Sequence, residues 1–261
     1  MRIGLLFILV LMLNPVNKLL ADEHRVSLVT THYPPYLNVN DPAGGVLTEL
    51  IRAAFERSNM TIDVSWLAFD RALKLTQKTD HYDGIFSLWY TQERADWAYY
   101  SDPILPNVVG LFTHKDMQLP AYWNLKYLKL SAKTLGVVKG YLNPIELKSA
   151  ALKTHVVNSD VNNLKALLTK KVDLIVIDKM VADTLIKQYF KGQSANFVWL
   201  EPPLEYKMQY LAIAKNAPFA KAKIAAFNQG LKQLKLDGGY QRIMKNHGFD
   251  WLLLSEQNNN E

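Results

Sequence analysis

Cysteine is absent from all 261 residues. That excludes a disulfide framework, a thiolate metal site and a cysteine nucleophile. It also leaves no cysteine to carry a lipid at a cleavage site, so a processed chain is expected to be free. Histidine is sparse, with six in all. No two of them stand at the i, i+4 spacing that puts two ligands on one helix face, so no metal site is expected. There is no G-x-G-x-x-G, no P-loop and no G-x-S-x-G, and with them go the usual signatures of dinucleotide, nucleoside-triphosphate and serine-hydrolase chemistry. No cofactor is expected. A concentrated basic stripe is missing too. The lysines are scattered, as in "LKYLKLSAK", "LTKKVD" and "LKQLKLDGG". Scattered lysines read as solvated helix faces, and no nucleic-acid partner is expected.

Only one long apolar run occurs, Ile3 to Leu13, and it is too short to span a bilayer, which takes about 20 residues. Arg2 precedes it and Ala21 follows before an acidic pair. Residues 1–21 therefore read as a secretory signal peptide cleaved after Ala21, which places the chain in the periplasm. An uncleaved anchor is the alternative, because Leu19 is a poor −3 residue. Cleavage removes Arg2 and Lys18 and lowers the formal charge excess from +6 by two.

What remains is rich in alternation. "RVSLVT" reads as a strand that stops before Pro34-Pro35, which cannot continue a ladder. In "GGVLTELIRAAFE", Leu47, Leu50, Ile51, Ala54 and Phe55 recur at helical spacing after a Gly-Gly turn,. "TIDVSWLAF", "DRALKLTQKTDHYD" and "GIFSLWY" follow as strand, helix and strand. This β-α-β-α-β order favours an open, mostly parallel sheet with helices on its faces. The pattern then restarts with "LGVVKGY", a helix with Leu164, Leu167 and Leu168 on one face, the apolar strand "VDLIVID" and the helix "KMVADTLIKQYF". "YLAIAK" is a last strand, two helices stop at glycines, and the tail "SEQNNNE" is polar. The fold class is α/β in two units without a long linker. Such units can hinge, and ligand sites favour their interface.

The segment "YDGIFSLWYTQERADWAYYSDPI" places Arg94 on a turn between a strand and an aromatic run. A guanidinium there is suited to a ligand anion, or to a structural ion pair with Glu93 or Asp96. Together with "YPPYLN", "GGVLTELIRAAFE", "LGVVKGY", "VDLIVID" and "LKLDGGYQRIMKNHGF", this segment resembles the family 3 extracellular solute-binding proteins, in order and spacing, from about residue 25 to residue 250. The resemblance implies a periplasmic-binding-protein type II fold with a cleft between two lobes. It implies a first lobe of residues 22–116 plus 208–261 and a second of 117–207, with crossings near Lys115–Pro120 and Glu205–Gln209. Arg94 then matches the arginine that grips a ligand carboxylate, and Asp178 the acid that meets its ammonium. An aromatic on the first loop, Tyr33 or Tyr36, covers the ligand. Ser87, Trp89 and Tyr141 complete the expected lining.

Two positions depart from the amino-acid receptors. Trp89 stands five residues before the arginine and Tyr141 after the second-lobe glycine, where those receptors carry Ser or Thr. Asp178 has a second reading as the N-cap of the helix that follows it. The function implied is capture of a small, polar, carboxylate-bearing solute by a monomer whose lobes close on it. An ABC permease or a membrane receptor would be the partner. No catalytic residue is expected. A dehydratase-like enzyme on the same fold, using Asp178 or Glu205 as its acid or base, and a stand-alone sensor are the alternatives.

Overall fold

The computed structural model describes residues 24–120 and 122–249. The expected signal peptide and the polar tail from Ser255 lie outside them. Strands β1 (Arg25–Thr30), β2 (Thr61–Trp66) and β3 (Gly84–Leu88) alternate with helices α1 (Val46–Glu56) and α2 (Phe69–Lys78). β1 pairs with both β2 and β3 in parallel, with Leu28 opposite Val64 and Gly84. This is the β-α-β-α-β unit that the sequence pattern requires. Helix α1 earns its place by one apolar face: Leu47, Leu50, Ile51, Ala54 and Phe55 are all inaccessible to solvent. Burying the leucine, isoleucine and phenylalanine side chains is worth about 1.5–3 kcal/mol each.

After β3 come α3 (Gln92–Trp97), β4 (Ala98–Tyr100) and β5 (Leu105–His114). The second unit holds α4 (Leu125–Leu130), β6 (Thr134–Val138), α5 (Ile145–Ala150), β7 (Lys153–Val157), α6 (Asp160–Leu168), β8 (Leu174–Asp178) and α7 (Lys179–Tyr189). β9 (Phe197–Ala214) then returns to the first unit, where α8 (Ala220–Leu236) and α9 (Gly239–Asn246) close the chain. α8 lies on α1, with the Phe55 and Phe227 rings 5.2 Å apart. Gly230 makes this approach possible, since a Cβ there would stand 1.8 Å from the Ala54 carbonyl oxygen. All five residues of β8 are buried, the first four as their apolar run demands.

The strands form one path, β2-β1-β3-β9-β5-β8-β6-β7, with β4 also on β9. The two units meet in a ribbon of β5 and β9 that pairs from Leu105 with Gln209 to His114 with Phe197. β5 also pairs with β8 from Val109 onward, and β9 pairs with β3 and β4 from Tyr210 onward. The chain thus passes between units inside these two long strands. The crossing expected at 115–120 falls beyond the end of β5, whereas that at Glu205–Gln209 falls within β9. Pro202 and Pro203 do not break β9 because the register slips there: Val109 faces Glu205, and Leu111 faces Leu200. The prolines bulge out opposite Gly110, where no ladder bond is needed.

Candidate functional site

Arg94 is positioned by a local device. Thr91 caps α3, its hydroxyl oxygen accepting the Arg94 amide at 3.2 Å, which satisfies one of the free N–H groups of the helix start. The Arg94 side chain turns back and donates Nη1 to the Trp89 carbonyl at 3.0 Å. The Tyr100 hydroxyl donates to the same carbonyl at 3.2 Å, and the Phe69 ring centroid lies 5.9 Å from the guanidinium carbon. Among the described residues, no carboxylate forms an ion pair with Arg94 within 4.0 Å. The ion pairs considered with Glu93 or Asp96 are therefore not formed. Burial pushes the Arg94 pKa down, opposed by the tyrosine and glutamate nearby. A guanidinium nevertheless stays charged.

A cavity of about 70 Å³ lies at this arginine. Tyr33, Phe69, Ser87, Trp89 and Arg94 line it from the first unit, and Gly140, Tyr141 and Leu142 close it from the loop after β6. Ser87 reaches it through strain. Its φ is +64°, the β3 register shifts between Phe86 and Leu88, and its hydroxyl donates to Gln209 Oε1 at 2.6 Å. Such a bulge re-aims a side chain out of a ladder. A second cavity of about 330 Å³ shares Thr31, Tyr33, Phe69 and Tyr141 with the first and adds Asp70, Lys139, Asp160 and Tyr189. The units touch across this cleft. Tyr33 and Tyr141 meet edge to face at 6.3 Å, and a Cβ on Gly140 would stand 2.8 Å from the Asp70 carboxylate.

Five of the seven expected site residues, Arg94, Tyr33, Trp89, Ser87 and Tyr141, share the smaller cavity. Asp178 and Tyr36 are walls of neither cavity. Tyr36 is fully buried, packs on Phe249 with 5.3 Å between rings, and donates its hydroxyl to Asp178 at 3.1–3.2 Å. The Asp178 carboxylate also accepts from the Val181 amide (2.9 Å), the Val108 amide (2.9 Å) and Asn107 Nδ2 (3.0 Å). It is the N-cap of α7, the second reading that its position allowed. Burial pushes its pKa up to about 6 against these hydrogen bonds. Asn107 completes a chain to the arginine loop, accepting Trp89 Nε1–H at 2.7 Å. Glu205, the other acid weighed for catalysis, pairs with Lys207.

Asn107, Phe69 and Asp160 were missed as site residues. Asn107 had a signal: one amide in the apolar run "LPNVVGLF" must find a buried partner. Asp160 stands in the first turn of α6, an ordinary place for an acid. In the fold it is buried and accepts the Tyr141 hydroxyl at 3.0 Å. Burial, first among the causes, pushes its pKa up to about 6.

That shift has a sign that melting curves can read. The folded chain keeps the Asp160 proton to about pH 6, whereas an unfolded aspartate releases it near 4. Stability from this group is thus present below about pH 4 and lost as pH rises towards 6. Asp160→Asn cannot titrate. Its Tm relative to wild type should rise between pH 4 and pH 6 and level off above. A difference independent of pH would contradict the burial of this carboxyl.

Two α/β units joined by a strand ribbon, with an arginine-bearing cleft between them, define a binding protein of the periplasmic type II class. The model of the bacterial extracellular solute-binding proteins, family 3, matches residues 26–250, and the chain belongs to that family. Among solved structures, it is similar to an ancestral arginine-binding protein bound to arginine, at TM-score 0.71 and 20% identity over 86% of this chain and 98% of that one. A histidine kinase sensor domain with similarity to periplasmic binding proteins aligns at 0.73 and 19%, over 87% and 97%. The substrate binding protein of an amino acid ABC transporter aligns at 0.68 and 18%, over 86% and 99%. No curated protein matches the chain. Among the described residues, no helix is long and apolar enough to cross a membrane.

Proposed function

We propose that this solute-binding protein captures a small carboxylate-bearing amino compound in the cleft, with Arg94 as the carboxylate's anchor. The observation that carries this reading is a half-buried guanidinium that lines a cavity and, among the described residues, has no carboxylate within 4.0 Å. A planar fork in a partly desolvated cleft matches a carboxylate through two charge-assisted bonds. Trp89 and Tyr33 supply apolar walls, and Ser87 a hydroxyl. The lobes, which the chain leaves within β5 and re-enters within β9, close by bending in that ribbon, and the closed form is what a partner recognises. Export through residues 1–21 would place the protein in the periplasm as a monomer. An ABC permease is the proposed partner. The likeness to a histidine kinase sensor domain favours a second reading, in which the closed form feeds a receptor.

A thermal-shift screen of amino acids, small carboxylates and amines tests the ligand class. Ligand at 100 times its Kd adds about 2.7 kcal/mol of stability, so a true ligand raises Tm plainly. Shifts confined to compounds without a carboxylate would overturn the assignment.

A further inference from the structure

Two aspartates are buried near the cleft, Asp160 and Asp178, and they differ in what is left for a ligand. Asp178 is saturated by four donors, the Tyr36 hydroxyl, Asn107 Nδ2 and the amides of Val108 and Val181. It does not line a cavity. Asp160 lines the 330 Å³ cavity, and one side-chain donor, the Tyr141 hydroxyl, reaches it. A carboxylate has about four acceptor positions, so Asp160 keeps capacity on the cavity side. It is 8% exposed, and a buried carboxylate without a counter-charge is costly. Lys139 lines the same cavity but is exposed, and it forms no ion pair with Asp160. Asp70 adds a second acid from the opposite unit, against Gly140. Tyr33, Phe69 and Tyr189 give the cavity aromatic walls, which also favour a cation.

We infer that the larger cavity receives the cationic end of the ligand whose carboxylate Arg94 holds, with Asp160 as its counter-charge. This rests on the reading of Arg94 given above. The substrate class is then an extended zwitterion, a basic or ω-amino acid, and not a neutral or acidic one. The cation would meet Asp160 in lobe two while the carboxylate stays on Arg94 in lobe one, so binding both ends would draw the lobes together. The anion of the ligand meets lobe one and its cation meets lobe two, which makes a compound carrying only one of these charges a poor closer.

Calorimetric titration with two matched pairs tests this: L-lysine against L-norleucine, and 5-aminopentanoate against pentanoate. Each pair differs by the terminal ammonium. Wild type should bind the amine-bearing member tighter by about tenfold or more, the scale of one charge pair in a partly desolvated site. Asp160→Asn, shown folded by its melting curve, should shrink that preference to near unity while keeping the weaker binding of norleucine and pentanoate. Equal binding within both pairs by wild type overturns the inference and needs no variant. A preference that survives in Asp160→Asn overturns it as well. In either case, norleucine or pentanoate binding that disappears in Arg94→Ala leaves the carboxylate reading standing, so the two ideas fail separately.

Discussion

Arg94→Ala should abolish most ligand affinity and barely disturb the unliganded fold. In the closed cleft, a ligand carboxylate at Arg94 would sit among Trp89, Phe69 and Tyr33, where water cannot replace a lost partner. Removing one side of such a pair costs about 2–5 kcal/mol, much of it because the other charge stays buried and unpaired. At about 1.4 kcal/mol per decade, Kd should rise by roughly one to four decades. Arg94→Lys keeps the charge but loses the planar fork, and its loss should fall between wild type and alanine. The unliganded protein forfeits the bond to the Trp89 carbonyl, worth about 1 kcal/mol. That corresponds to a Tm decrease of about 2–4 °C in a chain of this size. Titration of both variants with the best compound from the screen, beside their melting curves, decides the matter. Unchanged affinity would reduce Arg94 to a buttress of its own loop. An affinity loss matched by a collapsed melting curve would say the same.

The sequence made the first lobe legible because its signals are local. β1 to β3 and their helices follow from alternation, from the apolar face of α1 and from the Gly-Gly turn before it. The "TQER" turn is local as well, since Thr91 caps the helix that carries Arg94. The joining ribbon is different. β5 was not picked out, and only the end of β9, "YLAIAK", was read as a strand. "EPPLEYK" looks like a loop, and it becomes part of an 18-residue strand only because β5 offers a register slip for the prolines. Gly110 permits this from the other strand: a Cβ there would meet the Trp199 ring at 2.3 Å. Neither strand announces the other in its own residues.

The site shows the same division. Trp89 and Tyr141 stood out by departing from small hydroxyl residues, and both line the cavity. Tyr33 and Tyr36 are three residues apart on one loop and could not be told apart by composition. Their rings stack 5.8 Å apart, yet Tyr36 packs inward on Phe249 while Tyr33 lines the cavity. Phe249 is over two hundred residues away in sequence, so this choice belongs to tertiary structure. Asp160 and Asp178 likewise both begin helices. Which acid faces a cavity depends on Asn107, which reaches Asp178 from β5, and on Tyr141, which reaches Asp160 across the loop after β6.

Asp178→Ala should therefore fail in the opposite manner to Arg94→Ala, by loss of the fold. The carboxylate joins four elements at one point: the first loop through Tyr36, β5 through Asn107 and Val108, its own strand β8, and α7 through Val181. Alanine removes an N-cap, at about 1 kcal/mol. It also strips acceptors from a buried phenol, a buried amide side chain and a backbone N–H, each costing about 1–3 kcal/mol when left unpaired. Recovery of the desolvation that holds the Asp178 pKa up near 6 offsets part of this. A net loss of about 3 kcal/mol or more is expected, which lowers Tm by about 6–12 °C. Asp178→Asn keeps the volume and one acceptor oxygen, and it should lose less. The two alanine variants separate the roles on one pair of axes. Arg94→Ala should melt within about 2–4 °C of wild type and lose its ligand. Asp178→Ala should lose stability, and its remaining folded fraction should bind with an intrinsic affinity within about tenfold of wild type, since no ligand bond is removed. An Asp178→Ala protein that melts like wild type but no longer binds would show that this acid serves the ligand after all, through a cleft more open than the one described.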